Sequence, residues 1–126
     1  MFKYGAKSKR ELGSVHEDLQ EVFNEAIKYF DLTIIEGKRS RERQKELYEE
    51  GATKTLDGKH CEGLAVDVAP YPIDWENREN FIYMGGFIIG LAKAMGIPLR
   101  WGGDWNMNND LSDNNFDDLV HFELDY

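Results

Sequence analysis

The chain has one cysteine, three prolines and three histidines among its 126 residues. A single thiol, Cys61, excludes an internal disulfide framework and a cysteine-rich zinc finger. No long hydrophobic run occurs. The greasiest stretch, Phe81 to Ala92, is too short to cross a bilayer and contains three glycines. The basic segment Met1 to Arg10 is followed by no apolar region, so no secretory signal and no membrane anchor are expected. An excess of positive charge is also missing. The formal net charge is -9, which disfavours nucleic acid and anionic lipid alike, because both demand cationic neutralisation.

What is present is a globular composition. With 41% hydrophobic and 13% aromatic residues, the chain can build a core without cross-links. Its length fits one domain spanning residues 1–126, with no separate second module.

Ser14 and Glu17 match the S-x-x-E capping box, which predicts a helix start. Val15, Leu19, Val22, Phe23, Ala26, Ile27 and Phe30 then form one helical stripe ending near Asp31. Leu32 to Glu36 reads as a strand closed by Gly37. Ser40 is expected to cap a charged second helix ending at Gly51, with Leu47 and Tyr48 turned inward. Ala52 to Lys59 reads as loop, and Leu64 to Ala69 as a strand stopped by Pro70. A third helix is predicted from Asn80 to Met95, burying Phe81, Met84, Ile88, Leu91 and Met95. Gly85, Gly86 and Gly90 weaken it, which predicts close approach of another backbone. Leu99 to Trp101 and Val120 to Leu124 read as short strands around a loop rich in Asp and Asn. Helices interleaved with short strands predict an α+β fold, a small antiparallel sheet with helices packed on it.

Two histidines sit in informative surroundings. His60 opens the run His-Cys-Glu-Gly-Leu-Ala-Val-Asp, seven residues before Asp67. Gly63 can supply a turn, so that a loop histidine and a strand carboxylate converge. A carboxylate flanked by Val66 and Val68 needs a buried partner, and a metal is one. His121 lies in Leu-Val-His-Phe-Glu-Leu, with Val120 and Phe122 facing the other way. Two histidines and one carboxylate leave a fourth zinc position open, as catalytic sites do. A proton acceptor has to be close. Asp118 lies three residues before His121 and Glu123 two after, and spacing alone does not choose between them.

Other candidates have bland alternatives. His16 reads as a helix-surface residue. Cys61 would point away from His60 in extended chain and reads as a buried thiol. Arg41 and Arg43 read as a solvated helix start. Trp101 and Trp105 fit either core or the wall of a binding site. Glu123 should share the face of His121, where it either holds that ring or is an ordinary exposed residue. Asp104, Asn106 and Asn108 have the one-three-five spacing of a calcium loop. Asn109 and Asn115 replace the loop glycine and the closing glutamate, which excludes an EF-hand. The options left are a looser oxygen-rich calcium site over Asp104 to Asp118 and a solvated polar loop.

Four segments resemble the LAS-type, VanY-like zinc peptidases, in that family's order. Gly58 to Asp67 resembles the motif S-x-H-x-x-G-x-A-x-D, and Asp118-Leu-Val-His121 its acidic-x-x-His. Gly37-Lys-Arg-Ser40, with Gln44 downstream, resembles its Gly-x-Arg-Ser segment. Trp101-Gly-Gly-Asp-Trp105, followed by His121-Phe-Glu, looks like the phage-type L-alanyl-D-glutamate peptidase branch. The resemblance implies zinc on His60, Asp67 and His121, Asp118 as catalytic acid/base, and Arg39 steadying the substrate carbonyl. Gly58 departs from the family serine and removes any contact from that hydroxyl. The implied reaction is hydrolysis of the L-Ala–D-Glu bond of the peptidoglycan stem peptide. The rivals are a D-Ala-D-Ala carboxypeptidase or dipeptidase and a non-catalytic zinc-binding recognition module. The implied biology is an endolysin, expected as a monomer. It would be made in the cytoplasm and reach the wall through a holin-type membrane lesion.

Overall fold

Alternation with a period of two in the central strands organises the molecule. The computed structural model describes residues 1–52 and 58–126. The elements run α1 (Ala6–Gly13), α2 (Glu17–Ala26), β1 (Leu32–Glu36), α3 (Arg41–Glu49), β2 (Ala65–Pro70), α4 (Arg78–Ala94), β3 (Leu99–Gly102) and β4 (Asp118–Leu124). All strand pairs are antiparallel, in the order β1-β2-β4-β3. This is the expected α+β domain.

Val66 and Val68 of β2 and Phe122 and Leu124 of β4 are fully buried. They belong to one core with Leu19, Val22 and Phe23 of α2 and Met84 and Ile88 of α4. Successive strand side chains face opposite sides. Asp67, His121 and Glu123 therefore fall on the side away from that core. Register does the rest. Glu36 pairs with Asp67 and Asp67 with His121, so three strands present these residues in one row.

The expected helix start at Ser14 is displaced. Gly13 and Ser14 end an additional helix, α1, in which only Ser8 and Leu12 are buried. Two inward residues make too short a stripe to read as a helix. The cap of α2 is His16, whose Nδ1 accepts from the Asp18 amide at 3.0 Å. Ser14 Oγ instead donates to the Glu11 carbonyl at 2.6 Å. Helix α1 lies along the outer strand β1, where Ser8 Oγ accepts from the Ile34 amide and Lys7 Nζ donates to the Ile35 carbonyl.

Ser40 does cap α3, accepting from the Arg43 amide at 3.0 Å. Its one buried residue is Gln44, whereas Tyr48, expected inward, is exposed. The expected loop from Ala52 to Lys59 lies mostly outside the described residues. The helix glycines meet no second backbone. A Cβ at Gly85 would stand 2.2 Å from the Trp101 indole, so Gly85 is a seat for that ring, while Gly86 and Gly90 face open space. No helix among the described residues is long and apolar enough to cross a membrane.

Candidate active site

The row of β2 and β4 residues meets the turn after α3 in one cleft of about 530 Å³. His60 precedes a turn in which Gly63 adopts φ +73°. That turn points the His60 ring back at β2. His60 Nε2 lies 3.2 Å and His121 Nδ1 3.4 Å from the same oxygen, Asp67 Oδ1. Among the described residues, these three form the group of ligand-type side chains that could hold a metal, their atoms within 4.8 Å of one another. Ligands about 2.0–2.1 Å from a tetrahedral zinc stand roughly 3.3 Å apart, so the spacing fits.

The second nitrogen of each ring is also fixed. His60 Nδ1 donates to the Gly37 carbonyl at 2.9 Å. His121 Nε2 donates to Glu123 Oε1 at 2.8 Å. Such bonds set the tautomer and leave the opposite nitrogen free for a metal. Glu123 is 7% exposed, and its other oxygen meets Arg100 Nη2 at 2.7 Å and Lys59 Nζ at 3.3 Å. A buried carboxylate of this kind is stable only when paired. Because Lys59 adjoins His60, Glu123 ties both histidine segments together.

Electrostatics follow from burial and pairing. Burial works to raise the Asp67 carboxyl, but hydrogen bonds and charge from His121 and His60 outweigh it and hold Asp67 far below the usual carboxylate range. Burial works to lower His121, yet its bonds to Asp67 and Glu123 push it up to about 9. Glu123, against its own burial, is pulled down to about 2 by His121 and Arg100. Asp118 is shifted upward, by burial first and then by the charge of Asp67.

Asp118 reaches the cleft through an irregularity. Trp101 pairs with Phe122, but Gly102 pairs with Asp118, so residues 119–121 bulge between two consecutive partners. Strict alternation would have turned Asp118 to the core with Val120 and Phe122. A Cβ at Gly102 would stand 2.0 Å from the Asp118 carbonyl, so this close approach requires glycine.

Arg39 also lines the cleft. Its guanidinium donates twice to Glu36 Oε1 and once to Gln44 Oε1 at 2.8 Å, and it stands 4.0 Å from Asp67 Oδ2. Glu36, Lys59 and Arg100 carry no sequence motif that would have singled them out. Their signal is adjacency: one precedes the Gly-x-Arg-Ser segment, one precedes His60, and one precedes Trp101.

The two tryptophans separate. Trp101 is buried, stacked on Phe122, and donates to the Leu119 carbonyl at 2.8 Å. Trp105 lines the cleft, with its ring centroid 5.4 Å from that of His121. Cys61 is half-buried rather than buried and stands outside the metal group. In the loop, Asn109 adopts φ +63°, and its amide donates to Asp104 Oδ2 at 2.8 Å. Asp104 Oδ1 is buried without a hydrogen-bond partner among the described residues. The amides of Asn106 and Asn108 both donate to Asp113.

Two imidazoles and a carboxylate that could hold a metal stand in one cleft with the Asp118 carboxyl, the set of groups that a metal-dependent hydrolase uses. The family model described as phage L-alanyl-D-glutamate peptidase matches residues 1–125, and the chain belongs to that family. It is similar to the L-alanyl-D-glutamate peptidase of Escherichia phage T5, with 34% identity over 89% of this chain and 88% of that protein. It is 29% identical to the peptidoglycan L-alanyl-D-glutamate endopeptidase CwlK of Bacillus subtilis (strain 168), over 79% of this chain and 64% of CwlK. Its fold is similar to the crystal structure of the Serratia marcescens L-Ala D-Glu endopeptidase ChiX. The TM-score is 0.78 at 31% identity, covering 97% of this chain and 90% of that one.

Proposed function

We propose that this chain is a zinc-dependent peptidoglycan endopeptidase that hydrolyses the L-Ala–D-Glu bond of the stem peptide. The observation that carries the zinc site is the convergence of His60 Nε2 and His121 Nδ1 on Asp67, each ring fixed from behind by an acceptor. His60, Asp67 and His121 would hold the ion. When bound there, zinc supplies Lewis-acid polarisation of the scissile carbonyl and lowers the pKa of water.

The chain's own residues do the rest. Asp118 accepts the proton of the attacking water and delivers it to the leaving amine. Burial and the charge of Asp67 shift it upward, the direction that favours a carboxylate taking up a proton. Arg39, held by Glu36 and Gln44, uses three of its five N–H groups on these partners among the described residues. The remaining donors are available to the substrate carbonyl as it gains charge. Trp105 forms a wall of the cleft.

In the same reading the chain is one peptidase domain and acts as a monomer. It reaches the wall from the cytoplasm through a membrane lesion made by another protein. The Asp104 loop is a calcium site, supported by the buried Asp104 Oδ1, which has no hydrogen-bond partner among the described residues, and by Asn109 in the left-handed conformation that the loop glycine would take.

Digestion of purified sacculi by the zinc-loaded protein tests the reaction. New N-terminal D-Glu and L-Ala left on the muramic acid are expected by mass spectrometry. Release of terminal D-Ala alone would make the protein a carboxypeptidase instead.

A further inference from the structure

Asp118 forms a wall between two cavities. One is the cleft with the three ligand-type side chains. The other, of about 320 Å³, lies on the far side of Asp118, bounded by Trp75, Arg78, Phe81 and Asp117. The reaction proposed above makes no use of it.

Its surfaces have a definite chemistry. The Trp75 indole lies parallel to the Phe81 ring, with centroids 5.5 Å apart and planes 17° from parallel. Phe81 is buried at 4% exposure, whereas Trp75 is 64% exposed. The indole is thus pinned on one face by a core ring and open to solvent over most of its area. At the rim, the Arg78 guanidinium pairs with the Asp117 carboxylate, and Asn114 donates to the same carboxylate at 2.7 Å. A fixed planar donor and a fixed planar acceptor therefore stand beside a flat apolar platform.

Charge narrows the ligand. Two carboxylates, Asp117 and Asp118, face one guanidinium, so an anionic ligand is disfavoured. A neutral molecule with an apolar face and a ring of hydroxyl and amide groups fits. We infer that this cavity is a subsite for an N-acetylated amino sugar of the glycan strand, seated on Trp75 with its polar edge toward Arg78 and Asp117.

The inference rests on the L-Ala–D-Glu reading. That bond lies one residue from the muramic acid, so the sugar ring must sit roughly 7 Å from the reacting carbonyl at about 3.5 Å per extended residue. The cavity and the cleft share Asp118 in their linings, so the two adjoin, as a subsite for that sugar must. A sugar bound there would place the scissile bond, so part of its binding should appear as rate.

Two measurements test the subsite. The first uses the disaccharide N-acetylglucosaminyl-N-acetylmuramoyl-L-alanine amide, which is neutral and lacks the L-Ala–D-Glu bond. The three tryptophans give three indole N–H resonances. Titration to about 10 mM, a range suited to a weak single-sugar site, should shift that of Trp75 and leave buried Trp101 in place. The second compares kcat/KM for the disaccharide-bearing stem and for the sugar-free stem peptide. The wild type should prefer the former by about 10-fold or more, and Trp75→Ala should bring the ratio close to one, with Trp75→Phe intermediate. A silent Trp75 resonance, or an equal loss on both substrates in Trp75→Ala, overturns the subsite even when the bond is cut as expected. Fragments cut at another bond overturn the reaction assignment instead.

Discussion

Adjacent residues of β2 and β4 serve opposite ends. On one side Val66, Val68, Phe122 and Leu124 are fully buried in a core shared with α2 and α4. On the other side Asp67, His121 and Glu123 are charged or polar and linked to one another. The core face fixes the register, and the register places the cleft face, since a slip by one residue would exchange the two. Stability and chemistry are therefore encoded in alternate letters of the same strands, and substitutions one residue apart should have different consequences.

The sharpest contrast pairs Phe122→Ala with Asp118→Asn. Phe122→Ala should lower stability by about 3–5 kcal/mol, read by denaturant melts, because the ring is fully buried between Phe23 and Trp101. Asp118→Asn should leave the melt and the zinc content close to wild type, yet reduce kcat by about 10²–10⁴-fold. Normal turnover in Asp118→Asn would remove Asp118 from the proton path and point to Glu123. Within the cleft face, His121→Ala should abolish most zinc uptake. Glu123→Gln should only weaken it, by about 10–100-fold in a chelator competition, since it touches the metal through His121.

The cleft face should also give the zinc-free protein a pH signature that the core face cannot. His121 is raised from 6.5 to about 9, so its contribution is fully present below pH 6.5 and is lost as pH rises through 9. Glu123 is lowered from 4.5 to about 2, so its contribution is present above pH 4.5 and is lost as pH falls through 2. Melting temperature in the presence of a chelator should decline from pH 6.5 toward 9, and His121→Ala should flatten that decline. The smallest effect belongs to calcium. Millimolar calcium should raise the melting temperature by a few degrees, about the size of weak-site linkage, and Asp104→Ala should remove the rise. Identical melts with and without calcium would leave a solvated polar loop.

Much of this division was legible in the sequence. The strands, the α+β class and the approach of His60 to Asp67 follow from alternation, a glycine turn and spacing, all of which are local, while the grouping of His121 with them was implied by the family resemblance. What was illegible is non-local. The Asp118-Leu-Val-His121 resemblance favoured Asp118 over Glu123, but the bulge that brings Asp118 to the cleft against strict alternation is announced by no letter in β4. The even division between core and wall for Trp101 and Trp105 is resolved by a seat on α4, at Gly85, far away in sequence. Helix α1 escaped notice because it buries only two side chains and a hydrophobic stripe needs more.

That thin helix has a consequence for how the protein behaves among its own copies. An outer strand offers unpaired backbone groups that can recruit the edge of another molecule. Helix α1 occupies this position with polar side chains rather than greasy ones: Ser8 takes the Ile34 amide and Lys7 takes the Ile35 carbonyl. It acts as a guard on the sheet margin more than as a contributor to the core. Loosening it would leave Leu32 to Glu36 open to edge-to-edge self-association, a route to loss of solubility that leaves the catalytic cleft itself untouched.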